Sequence, residues 1–112
     1  MLRVTTALWV AALVRRVYGA GAVAAVMRHG AEEAGAIFIL IDRLDGTADL
    51  YGPAPQTVFA DDTPSDRKFQ RLAESTEMAA LSARIEKEVR FDPDLWLVAI
   101  EDRAAKPFFD VV

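Results

Sequence analysis

Two aspartates on either side of a predicted turn are the residues of this chain whose types and spacing could support chemistry. Asp42 ends the apolar run AIFILID (36–42), and Asp49 lies within TADLY (47–51). Asp45-Gly46 stands between the two segments and supplies the positive φ angles that a tight β-hairpin requires. The sequence therefore predicts that residues 36–42 and 47–51 form paired antiparallel strands.

The length of the hairpin loop decides whether the two carboxylates meet. If Asp45-Gly46 is a two-residue loop, Asp42 lies opposite Asp49, and such a pair raises one pKa, recruits an arginine or holds a cation. If Leu44-Asp45-Gly46 is a three-residue loop with its glycine in a bulge, Asp42 lies opposite Ala48 and the pair is lost. The sequence is compatible with both registers.

His29 is the single histidine of the chain, and there is no cysteine. It lies between Arg28 and Gly30 in a turn-like segment, where a histidine is either a general base or a solvated side chain. One hypothesis is therefore a small carboxylate-dependent hydrolase or lyase that uses Asp42 and Asp49. In that enzyme His29 or Arg28 would assist the aspartate pair. The lack of cysteine excludes disulfides, zinc knuckles and iron–sulfur clusters, and we expect no metal or cofactor site.

A second acidic pattern surrounds the apolar run in RFDPDLWLVAIEDR (90–103). Asp94 and Glu101 resemble part of a nuclease motif, although Arg103 stands where that motif has lysine. On one straight strand, however, these two acids lie roughly 23 Å apart, whereas a cation holds its oxygen ligands at about 2.0–2.6 Å. We therefore interpret the acids as the ends of a core strand over residues 95–101.

Hydrophobic spacing predicts the elements that position these residues. Apolar residues recur at helical intervals over residues 5–18, and again from Ser75-Thr76 until Pro93 ends the pattern. Strand-length apolar runs cover 22–28 and 36–42, and the second of these is apolar on both faces, which is typical of a central strand.

The remaining segments complete a single α+β domain. Residues 57–67 are predicted to form a loop, 68–74 a strand rather than a helical turn, and the tail KPFFDVV (106–112) to dock onto the domain. The fold class is α+β, with one mostly antiparallel sheet of four to five strands and two main helices packed on it. The predicted order is α-β-β-β-(β)-α-β, in one globular domain over residues 1–112.

Composition and charge limit the partners. The 13 Lys and Arg residues face 17 Asp and Glu residues, so we expect no nucleic-acid binding. Such binding would require a shared face for a basic set composed of Arg15, Arg16, Arg67, Lys68 and Arg71. The apolar run over 4–14 is too short to span a bilayer, and the arginines that follow it argue against a secretory signal. We expect a cytoplasmic protein without a membrane partner.

Three motifs resemble a known family. AGAIFILIDRLDGTADLYGPAP (34–55), RFDPDLWLVAIEDR (90–103) and WVAALVRR (9–16) are similar to the bacterial family catalogued as domain of unknown function 1491. The resemblance covers nearly the whole chain and is weakest over 56–89. It implies a small cytoplasmic bacterial protein with no assigned activity, and it carries over no catalytic residue.

The leading hypothesis for function is a non-enzymatic domain that binds a partner, either a second copy of itself or another protein. Two observations motivate it: 53% of this short chain is hydrophobic, and TADLY (47–51) is a candidate exposed edge strand. The carboxylate-dependent hydrolase or lyase is the alternative.

Overall fold

The computed structural model describes residues 4–55 and 67–112 and contains the predicted α+β fold. In chain order the elements are α1 (Thr6–Gly19), β1 (Val23–Arg28), β2 (Ile37–Asp42), β3 (Thr47–Pro53), β4 (Lys68–Glu77), α2 (Met78–Phe91), β5 (Trp96–Glu101) and β6 (Asp110–Val111). The strands form one mixed sheet in the order β1-β5-β2-β3-β4-β6. The predicted fold class is confirmed, and a sixth strand comes from the tail, which docks as predicted.

Helix α1 covers one face of the sheet because its apolar residues recur every three or four positions. Val10, Leu13 and Val17 are buried and belong to a cluster with the inward-facing residues of β2 and β5. The Thr5 hydroxyl accepts the Leu8 N–H at 3.2 Å and begins the helix, as a side-chain N-cap does. Tyr18, in the last turn of the helix, is 54% exposed.

Helix α2 packs on the other face, mainly over β3 and β4. Leu81 is its one fully buried residue among those described, and it forms a small cluster with Ala48 and Leu50. Met78 and Ile85 pack beside this cluster and are partly buried, as are two residues of β2. The helix therefore leaves β1 and β5, and part of β2, uncovered on its side of the sheet.

The start of α2 differs from the prediction. The sequence pattern places it at Ser75-Thr76, but β4 continues to Glu77, which pairs with Thr47 of β3. The helix begins only at Met78. Ser75 and Thr76 are typical N-cap residues and therefore resemble the start of a helix, but the pairing of β4 with β3 determines the structure of this segment.

The predicted edge strand is also wrong. Strand β3, which contains TADLY, pairs with β2 on one side and β4 on the other, and five of its seven residues are buried. The edges of the sheet are β1 and the two-residue β6. The predicted loop over 57–67 lies, apart from Arg67, outside the described residues.

Candidate functional site

The hairpin between β2 and β3 adopts the longer of the two loops considered. Asp42 pairs with Ala48, whereas Asp49 pairs with Ile41. Because neighbouring residues of a strand point to opposite faces, Asp42 and Asp49 lie on opposite faces of the sheet. The predicted register in which the two carboxylates face each other is therefore not the one formed. Leu44-Asp45-Gly46 forms the three-residue loop.

Side-chain hydrogen bonds explain the choice of loop. Leu44 and Gly46 have φ angles of 64° and 91°, and the Asp42 Oδ1 atom accepts the Leu44 N–H at 2.8 Å. The Asp45 Oδ1 atom accepts the Thr47 N–H at 2.9 Å and the Thr47 hydroxyl at 2.6 Å. The bond from the hydroxyl lowers the pKa of Asp45. Both aspartates thus stabilise the turn by accepting the N–H of the residue two positions further along the chain, a role that aspartate often has in loops.

Asp49 is buried and paired. Its side chain is 1% exposed, and both oxygens accept bonds from the Arg43 guanidinium, at 2.9 Å from Nε and 2.9 Å from Nη2. Its Oδ1 atom also accepts the Ser75 N–H at 2.8 Å. Burial alone would raise the pKa of Asp49. The bonds from Arg43 and Ser75 lower this pKa by more than burial raises it, so the net pKa lies below its ordinary value.

The Asp49 contacts fix a bulge in β4. Leu50 pairs with Ala73 and Ala48 with Thr76, so two residues of β4 lie opposite Asp49 alone. Ser75, one of these two residues, has a φ of 45°, which is unusual for a residue other than glycine. A carboxylate held by three donors at a bulge stabilises the pairing of β3 with β4.

His29 lies far from the aspartates. It is exposed and packs against Trp96 in a tilted arrangement, with 4.1 Å between the ring centroids and 47° between the ring planes. The loop that carries it is fixed on the corner before β5, because the Trp96 Nε1–H donates to the Ala31 carbonyl at 2.8 Å. A Cβ atom built on Gly30 would lie 2.2 Å from the Asp94 carbonyl oxygen, so only glycine fits there.

His29 and the hairpin lie near opposite ends of β5. Arg28, which precedes His29, pairs with Leu97 near the start of β5, whereas Asp42 pairs with Glu101 at its end. Four residue steps along a strand correspond to about 13 Å. The Arg28 guanidinium donates to the Pro93 carbonyl oxygen at 2.7 Å. The structure therefore does not bring His29 or Arg28 to the predicted aspartate pair.

A groove lies where α2 stops covering the sheet. We call the α2-side face of β1 and β5, together with the part of β2 that α2 does not cover, the open half-sheet. The trough between it and α2 is the groove. The groove has a volume of about 430 Å³, and Met78, Ser82 and Ile85 of α2 form one wall. Ala25 and Ala99, which are register partners on β1 and β5, lie at its floor. Sequence reasoning missed the groove because the position of α2 depends on tertiary packing.

The floor of the groove is apolar and exposed at its β1 side. Met27 is 64% exposed and Val23 is 46% exposed, and both line the groove. Among the described residues, strand β1 has no neighbour beyond it in the sheet, so one row of its backbone groups faces outward. An exposed apolar floor beside such a strand is a feature of interaction sites.

Two carboxylates close one end of the groove. Asp42 and Glu101 are register partners on the parallel strands β2 and β5, and both side chains line the groove. Within the described residues neither forms an ion pair. A signal for this pair exists in the sequence: the runs IFILID and WLVAIE have equal length and each ends in an acid. Parallel pairing in register places the two acids side by side.

Other site types find little support in the residues described. Over 4–55 and 67–112 no group of three or more His, Asp or Glu side chains could hold a metal ion. Of the basic set, Lys68 pairs with Asp110 at 3.4 Å and Arg71 with Glu74 at 3.3 Å. No helix in this part of the chain is long and apolar enough to cross a membrane.

Comparison with known proteins identifies the family. The family model described as "Protein of unknown function (DUF1491)" matches residues 4–110. The chain belongs to the DUF1491 family. The resemblance found in the sequence motifs is thereby confirmed, and the match includes the segment 56–89 in which the motifs are weakest.

Solved structures of bacterial proteins are similar to this DUF1491 protein over its whole length. The solution structure of protein Atu0922 from Agrobacterium tumefaciens is 43% identical, with a TM-score of 0.85, covering 99% of this chain and 96% of that one. A crystal structure of a DUF1491 family protein from Caulobacter crescentus is 37% identical, with a TM-score of 0.79 and 99% coverage of each chain. An NMR structure of a DUF1491 family protein from the same species is 36% identical, with a TM-score of 0.78, covering 100% of this chain and 99% of that one. The comparison with curated proteins found no match.

Proposed function

We propose that this DUF1491 protein is a non-enzymatic interaction domain whose partner is another polypeptide, bound over the open half-sheet. The observation that carries the proposal is the asymmetry of α2, which packs over β3 and β4, meets β2 in part and leaves β1 and β5 open. The opposite face of β1, β5 and β2 packs into the α1 core. A sheet that is closed on one side and only partly covered on the other offers an apolar surface to a partner.

The energy available at this surface supports binding. Full burial of an apolar side chain is worth roughly 1.5–3 kcal/mol. Met27 and Val23 are 64% and 46% exposed, so their coverage would contribute an appreciable part of that range for each. The groove floor and the wall from α2 add further contact. A partner that covers the open half-sheet would therefore gain several kcal/mol before the entropic cost of association.

The geometry gives less support to the hydrolase or lyase. Asp42 and Asp49 lie on opposite faces of the sheet, and Asp49 is fully engaged with Arg43 and Ser75. His29 stands at the other end of the strands, so the three candidate catalytic residues do not surround one space. We do not propose a catalytic role for them.

Native mass spectrometry of the chain, isolated at its natural level from its own bacterium, tests the proposal. We expect a companion polypeptide, either a second copy or a different chain, which is released on denaturation. Met27→Glu should abolish the complex by placing a charge on the open half-sheet. Leu8→Glu is the matched control, because Leu8 is 62% exposed on α1, on the opposite side of the sheet. A chain that carries no companion, or a complex that Met27→Glu leaves intact, would contradict the proposal.

A further inference from the structure

The width of the open half-sheet selects the kind of element that can fill the groove. Neighbouring strands lie about 4.8 Å apart, so two open strands and the uncovered part of β2 present a face of roughly 10–14 Å. An α-helix with its side chains is about 10–12 Å across, which matches this width beside α2. A strand laid on the same face would leave backbone N–H and C=O groups against apolar side chains without partners. A helix satisfies its own backbone and avoids that cost.

The floor favours a helix with a bulky apolar residue near its middle. Ala25 and Ala99 are side by side on adjacent strands, with Val23 and Met27 toward the two ends of β1. Small side chains at the centre of a face create a depression that a leucine or an aromatic side chain can enter. The occupant is therefore apolar on the side that meets the sheet.

The acid pair at one end defines the charge of the occupant. Asp42 and Glu101 line the groove and lack an ion pair among the residues described. One oxygen of Asp42 accepts the Leu44 N–H, which leaves the other oxygen available to a donor. Covering these carboxylates with a neutral or acidic segment would remove their hydration without replacing it, whereas a lysine or arginine places an opposite charge and hydrogen-bond donors beside both.

A second copy of the chain does not fit this role. The outward face of α1 has apolar Leu8 and cationic Arg15, which is the right chemistry, but α1 and the groove lie on opposite faces of the sheet. Seating α1 of one copy in the groove of the next makes a head-to-tail contact, which leaves a groove open at one end of the assembly and an α1 free at the other. Pairing of two β1 edges leaves both grooves uncovered.

On the basis of the proposed function, we infer that the groove receives an amphipathic α-helix of a different protein. Its apolar face lies on the Ala25–Ala99 floor, and a lysine or arginine near one end lies over Asp42 and Glu101. This inference extends the proposed function by naming the partner's secondary structure and its charge.

Two synthetic helical peptides of 18 residues serve as the probes. Both have the same apolar face of leucine and alanine. One has lysine in its first and last turns, and the other has glutamate there, so either helix direction is sampled. The full chain, labelled with ¹⁵N, is titrated with each peptide and followed by NMR. We expect the lysine peptide to shift amide signals of β1, β5 and the α2 wall, and to bind at least tenfold more tightly than the glutamate peptide.

The double variant Asp42→Asn with Glu101→Gln identifies the source of that preference. Both substitutions keep an oxygen acceptor, including the one that Leu44 uses. We expect the variant to bind the two peptides equally. Equal binding by the unmodified chain, or a preference that survives in the variant, would overturn the assignment of the cation to the acid pair.

Two further outcomes would overturn the inference that the partner is a helix of a different protein. The test with Met27→Glu decides the proposed function separately. One is the absence of groove shifts with both peptides at millimolar concentration. The other is a native mass spectrum in which the companion released by Met27→Glu is a second copy of the chain. In either case, a complex that depends on Met27 would still support the proposed interaction domain.

Discussion

Asp49→Asn is expected to destabilise the fold because it removes the charge that holds the hairpin to the β4 bulge. The Asp49 carboxylate is 1% exposed and accepts two bonds from Arg43 and one from Ser75. The asparagine would keep one acceptor oxygen and would direct an NH₂ group at donors. Breaking a buried pair typically costs about 3–5 kcal/mol. Arg43 is 23% exposed and water can reach it after the change, so we expect a loss of about 2–3 kcal/mol from the free energy of unfolding.

Urea unfolding, followed by circular dichroism and by fluorescence of the two tryptophans, measures this loss. Asp42→Asn is the matched control, because its amide oxygen can replace the oxygen that accepts the Leu44 N–H at the same turn. We expect its unfolding midpoint to match that of the unmodified chain. An Asp49→Asn variant within about 0.5 kcal/mol of the unmodified chain, the usual range for surface changes, would refute the structural role of this carboxylate.

Three more predictions follow from the same contacts. Because the pKa of Asp49 in the fold lies below its ordinary value of 3.8, its stabilisation is present above that pH and is lost as the pH falls through the folded pKa. The difference in urea midpoint between the unmodified chain and Asp49→Asn should therefore narrow when measured from pH 5 down to pH 3, and a constant difference would contradict this. Gly30→Ala should lower the thermal midpoint clearly, since its Cβ would overlap the Asp94 carbonyl oxygen, whereas Gly19→Ala meets open space and should not. Ser75→Gly should stabilise the chain by about 0.5–1 kcal/mol in urea unfolding by relieving the φ of 45°, and a destabilised variant would show that the serine side chain contributes more than this strain costs.

Local signals predicted most of the elements. The Asp45-Gly46 turn, the apolar stripe of α1 and the all-apolar run of β2 each depend on residues close in sequence, and each is found in the structure. The stop of α2 before Pro93 is equally local, because proline forces the preceding residue out of the helical region.

Features that depend on distant partners were predicted less well. The extension of β4 to Glu77 requires Thr47 opposite it, and the burial of TADLY requires strands on both sides. The loop length of the hairpin depends on the Asp42 and Asp45 side-chain bonds, which the turn signal alone does not distinguish.

The candidate site was the hardest part to predict, because it joins strands that are far apart along the chain. Asp42 and Glu101 meet through the parallel pairing of β2 with β5, and β3, β4 and α2 separate these strands in sequence. Sequence reasoning placed Asp42 in a pair, but with Asp49, its neighbour in the hairpin. The runs IFILID and WLVAIE have equal length and each ends in an acid, and this pattern indicates the pair of Asp42 with Glu101 that the fold forms.

Site-specific photo-crosslinking tests the central claim most directly. A photoreactive amino acid is placed at Met27 or at Leu8, which have similar exposure on opposite sides of the sheet, 64% and 62%. Each variant is expressed in the organism that encodes the chain, and crosslinked polypeptides are identified by mass spectrometry and purified. We predict a polypeptide that crosslinks at Met27 and not at Leu8, and that binds the purified chain in a manner abolished by Met27→Glu. Equal crosslinking at the two positions, or binding that withstands Met27→Glu, would contradict an interaction domain that uses the open half-sheet.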